Sequence, residues 1–119
     1  MYAWGMQLTV RAIHTFPVRG GDAVTHESVA VEADGLEGDR RKRAAVSIVG
    51  HDSPHTRANL VLDAPTAAVE GLAGTLVRVG GTLLAVEGTG NACPGLYAAV
   101  GQVGTVRVGD VVERVEHEA

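Results

Sequence analysis

Apolar and polar residues alternate in short bursts along the whole chain. Leu8 to Ile13 reads LTVRAI, Ser28 to Ala33 reads SVAVEA and Thr82 to Glu87 reads TLLAVE. In the second burst Val29, Val31 and Ala33 share one face, with Ser28 and Glu32 on the other. A period of two is the mark of a half-buried strand. Residues 45–49, 59–62, 75–79, 105–108 and 111–115 carry the same valine-rich pattern and are predicted strands. Gly80-Gly81 separates two of them, a hairpin signal. Between strands, residues 65–72 (PTAAVEGL) predict one helical turn. So many short strands in 119 residues predict a mainly β fold, a closed or nearly closed β-barrel with short helical turns. Closure removes the sheet edges that would otherwise pair with other chains.

Composition narrows the classes of function. The length suits one domain, residues 1–119, and 45% apolar against 20% charged residues is ordinary for a globular protein. A net charge of −4 gives no reason to expect nucleic acid. One cysteine forms no internal disulfide, which favours a reducing compartment. The opening MYAWGMQLTVRAIH shows no basic segment followed by an apolar run, and no window is apolar for the roughly 18–20 residues of a membrane helix. A cytoplasmic location with no membrane partner is the expectation.

Five stretches bear on candidate chemistry. In ADGLEGDR, residues 33–40, Gly35 and Gly38 supply positive φ angles for a tight reversal. Asp34 or Asp39 can bond back to the backbone there, and the turn presents Asp39 and Arg40 to a neighbouring loop. The basic run Arg40, Arg41, Lys42 and Arg43 reads as a solvated loop or as an anion site. His51 and His55 flank Asp52, but Pro54 favours a loop and no third metal ligand is near in sequence. GTGNAC, residues 88–93, imitates a dinucleotide loop without its third glycine, so a nucleotide-binding fold is rejected. The fifth stretch, GNACPG, holds the lone Cys93. Cys93 reads either as a buried apolar side chain or as a reactive thiol. Pro94 followed by LYAAV and Gly101 predicts a helical turn or two with Cys93 at the N-cap. Free N–H groups and the helix dipole there lower a thiol pKa below about 8.5.

The order of these motifs resembles the MOSC domain, the C-terminal domain family of molybdenum cofactor sulfurases. The resemblance rests on VEADGLEGDR (31–40), TRANLV (56–61), VRVGGTLLAV (77–86), ACPGL (92–96) and GTVRVGDVV (104–112), and spans roughly residues 8–115. It implies a barrel akin to that of pyruvate kinase, with Cys93 as the functional thiol, carrying sulfur as a persulfide or ligating molybdenum in a pterin cofactor. It also implies that Arg57, Asn59, Asp39 and Arg40 line the same pocket, where arginine suits an anionic pterin phosphate. The 119 residues match the barrel alone, without the pyridoxal-dependent desulfurase domain or the N-terminal β-barrel domain of larger members. RRKR at 40–43 stands where many members have a histidine.

A stand-alone sulfur carrier is therefore the first expectation, loaded by a separate cysteine desulfurase and discharged to an acceptor protein or cofactor. The alternatives are a small reductase holding a molybdenum cofactor (molybdopterin) through Cys93, and a non-catalytic interaction module.

Overall fold

The computed structural model describes residues 8–40, 44–53, 58–87 and 96–115. Eleven strands and one helix lie among them. In chain order they are β1 (Leu8–Thr15), β2 (Val24–His26), β3 (Ser28–Glu32), β4 (Gly35–Leu36), β5 (Val46–Gly50) and β6 (Leu60–Leu62). Then follow α1 (Thr66–Glu70), β7 (Leu76–Val79), β8 (Thr82–Glu87), β9 (Leu96–Gln102), β10 (Gly104–Arg107) and β11 (Val111–Arg114). No helix among the described residues is long and apolar enough to cross a membrane.

Seven strands close on themselves in the order β1-β11-β7-β8-β9-β5-β6, the ring being completed by Leu8 opposite Val112 and Val10 opposite Leu62. The expected closed barrel is present. Neighbours in the ring run antiparallel except β5 and β6, which run parallel with Ile48 opposite Leu60. Inward residues are the branched aliphatics that favour strands, among them Val10, Val46, Leu60, Val77, Val79 and Leu84, each at 1% exposure or less.

β1 shows how the ring is tuned. Leu8 and Val10 are buried, and then so are Ile13 and Thr15, with the parity switched by an irregularity between Val10 and Ala12. A bulge of this kind re-aims one strand without ending its pairing. A three-stranded sheet, β10-β3-β4, packs Val29, Val31, Leu36 and Val106 into the same continuous core as the barrel.

Two sequence expectations meet different outcomes. The Gly80-Gly81 hairpin forms, with Val79 opposite Thr82, Gly80 at φ +56° and the Thr82 hydroxyl donating to the Val79 carbonyl at 2.8 Å. The helical turn expected after Pro94 does not form over residues 96–100. These residues are β9, with Ala98 paired to Val46 on one side and Val86 on the other. Two flanking ladders outweigh the local signal of a leading proline and a trailing glycine.

α1, where a helical turn is expected, leans on β5. Gly50 donates to the Thr66 hydroxyl at 3.2 Å and His51 donates to the Ala64 carbonyl at 2.9 Å. A Cβ at Gly50 would collide with the backbone of Ala64, Pro65 and Thr66. Gly50→Ala is expected to lower stability by about 1–3 kcal/mol, read from the denaturant midpoint.

On the outer hairpin of β1 and β2, His14 Nδ1 lies 3.2 Å from the Thr25 hydroxyl, and the Thr15 hydroxyl lies 2.8 Å from His26 Nε2. Burial, and then the neighbouring His26, hold the His14 pKa below the usual 6.5. A lowered histidine pKa means the folded state binds the proton less well than the unfolded state. Its contribution is therefore intact above pH 6.5 and is lost as pH falls through the lowered value. His14→Gln should flatten the decline in melting temperature below pH 6.5, measured against wild type across an acid series.

Candidate functional site

The turn after β4 delivers Asp39. Gly35 and Gly38 take φ of +139° and +85°, the Asp39 amide donates to the Leu36 carbonyl at 3.0 Å, and the Asp39 side chain turns inward at 7% exposure. The turn presents that carboxylate to a segment 23 residues back along the chain, where Oδ1 accepts the Phe16 amide at 2.8 Å. Arg40 follows, its amide donating to the Phe16 carbonyl at 3.2 Å and its residue exposed.

Asn59 meets Asp39 there. It is fully buried, and its Nδ2 donates to Asp39 Oδ2 at 3.2 Å and to the His14 carbonyl at 3.1 Å. Its Oδ1 accepts from the Ser47 amide at 3.0 Å and the Ser47 hydroxyl at 3.3 Å. The backbone joins in: the Asn59 amide donates to Ser47 Oγ at 2.9 Å, and its carbonyl accepts the His14 amide at 2.8 Å. Both N–H groups and both lone pairs of the amide are thus engaged within the protein. Asn59 acts as a positioning residue, fixing the chain two positions after Arg57, while Asp39 fixes the chain one position before Arg40.

Of the five residues singled out by sequence, Asp39 and Asn59 are brought into direct contact and Arg40 stands beside them. Arg57, Cys93, the rest of the basic run (residues 41–43), Pro54 and His55 lie outside the described residues. The flanks of Arg57 and Cys93 are defined by register. Leu96, Ile48 and Leu60 stand side by side on β9, β5 and β6. Because β6 is parallel to β5 and β9 antiparallel, the chain enters β6 from the Val46 end of β5 and enters β9 from the Gly50 end. With residues 96–102 a strand, no helix dipole from them acts on Cys93. The N-cap setting expected for Cys93 from a helix over these residues is not present.

The His51–Asp52 pair has a structural task. Asp52 Oδ1 accepts from the Thr66 amide and the Thr66 hydroxyl, each at 2.8 Å, and so caps α1 from a distant loop. Those bonds, the backbone one foremost, hold its carboxyl below the usual range. Among the described residues no group of three or more His, Cys, Asp or Glu is placed to hold a metal ion.

One feature escaped sequence reasoning. An open groove of about 320 Å³ runs between the β3–β4 turn and the barrel wall, lined by Ala33, Asp34, Ala44, Ala45, Glu87, Ala98, Ala99 and Val100. Its signal in the sequence is the pair of dialanines at 44–45 and 98–99, which meet because Val46 pairs with Ala98.

Barrel, small sheet and turn together fit a MOSC-like fold. The solved structures it resembles include YuaD from Bacillus subtilis, with a TM-score of 0.75, 14% identity, and 95% of this chain matched to 98% of that one. YiiM from Escherichia coli gives a TM-score of 0.68 at 18% identity, with 96% of this chain on 72% of that one. A hypothetical protein gives 0.73 at 17% identity, with 94% on 70%. No family model and no curated protein sequence matches the chain.

Removing the Asn59 amide would take one hydrogen bond each from the Asp39 carboxylate and the His14 carbonyl and two from Ser47. Asn59→Ala is expected to cost about 2–5 kcal/mol, and Asn59→Asp more at neutral pH, since it sets a second carboxylate against Asp39. Chemical denaturation of both variants checks the order. Equal, sub-kilocalorie effects would show that the network is dispensable.

Proposed function

We propose that the protein is a small MOSC-like barrel that handles sulfur through Cys93, as a persulfide carrier. The observation that supports this most is the hydrogen bond between Asn59 and Asp39. It joins two motifs that lie 20 residues apart in the chain and that carried the family resemblance, the Arg-x-Asn stretch and the GLEGDR turn. The MOSC-like fold is compatible with a role connected to the molybdenum cofactor.

In this reading the Cys93 thiolate attacks the terminal sulfur of a persulfide on a separate cysteine desulfurase. A new S–S bond forms to Cys93 and the donor's S–S bond breaks. The donor cysteine leaves as thiolate, so the exchange is redox-neutral. An acceptor nucleophile then takes the sulfur by the same displacement. Arg40 and Arg57 supply charge for an anionic acceptor.

The described residues do not by themselves fit a molybdenum-bound pterin. The Asn59 amide is engaged internally, and the open groove bears Asp34 and Glu87, which oppose a phosphate. Ligation of molybdenum by Cys93 therefore ranks second.

Incubation with a cysteine desulfurase and cysteine should add one sulfur to Cys93, removable by a reducing thiol and detected by mass spectrometry of the intact chain. Cys93→Ser should take up none. Wild-type protein that stays unmodified beside a loaded control acceptor would end the carrier reading.

A further inference from the structure

We propose that the alanine-walled groove is a binding site for small organic cations with a flat, apolar body. Its volume of about 320 Å³ falls at the lower end of small-molecule pockets. Alanine is disfavoured in strands relative to valine or isoleucine, yet β9 carries two in succession where the groove runs. Larger side chains at Ala45 or Ala99 would fill the space, so the small residues keep it open.

The alanines keep the groove open and give it apolar contact area, while its charge comes from two side chains. Recognition therefore falls to the carboxylates that line the groove, Asp34 from the β3–β4 turn and Glu87 from the end of β8. Glu87 is exposed and makes no side-chain hydrogen bond or ion pair among the described residues, so its charge is available to a ligand. Alanine contacts beside an uncommitted carboxylate match an aryl or alkyl body bearing an amine or amidine, and the carboxylate repels carboxylates and phosphates. This cation chemistry is distinct from the anion chemistry assigned above to Arg40 and Arg57, and it does not depend on the reactivity of Cys93.

Titration of the isotope-labelled full chain with benzamidine, followed by amide chemical shifts, tests the site. Benzyl alcohol and benzoate serve as neutral and anionic counterparts. Benzamidine should give saturable shifts at Ala45, Glu87 and Ala99, benzyl alcohol weaker ones and benzoate none. Glu87→Gln, an exposed and nearly isosteric change, should weaken benzamidine by roughly tenfold, the scale of one charge-assisted contact. Ala99→Leu should abolish its binding while leaving the spectrum otherwise folded. Shifts that do not saturate or lie elsewhere, equal binding of benzoate, or unchanged affinity in Glu87→Gln would each overturn the proposal.

Discussion

The architecture turns on a single buried amide. Asn59 sits at 0% exposure with every hydrogen-bonding position of its side chain engaged, and the partners come from the end of β1, the turn after β4 and the body of β5. A buried polar network of this kind is favourable only while complete, because each orphaned partner keeps the full penalty of its lost hydration. Completeness demands that the segments take one mutual arrangement. The amide therefore acts on specificity of assembly as well as on stability.

Its location explains why the barrel needs it. β5 and β6 run parallel and are joined through residues 51–59, fewer than the dozen or more that a parallel crossover usually takes. That connection must carry the chain from the Gly50 end of β5 back to its Val46 end before β6 begins. Anchors stand at both extremes of the crossing. At the start, Gly50, His51 and Asp52 bond to residues Ala64 and Thr66. At the finish, Asn59 bonds to Ser47 and His14. Arg57 belongs to this crossing, so the network that closes the ring also governs where the chain re-enters beside that arginine.

Strands were legible where their residues alternate and one face is buried. Val29 and Val31, or Leu84 and Val86, declare themselves at a period of two. β2 gave no such signal, since Val24 and Thr25 are both exposed and only pairing with β1 defines the strand. β9 was misread because a proline and a glycine at helix-like positions are local cues, whereas its two partner strands lie far away in sequence. At the candidate site, Asp39 and Asn59 were found through the order of motifs. Their mutual bond and their engagement with Phe16, Ser47 and His14 depend on contacts that no spacing encodes. The groove was hidden for a similar reason. A dialanine means little until register sets one against the other.

Sulfur handling by Cys93 is the claim on which the functional account stands. Protein isolated from its host without reductant, and analysed intact by mass spectrometry together with elemental analysis, reports both sulfane sulfur and molybdenum. The account predicts a fraction of molecules carrying one additional sulfur on Cys93, without stoichiometric molybdenum. An unmodified thiol accompanied by one molybdenum per chain would contradict it.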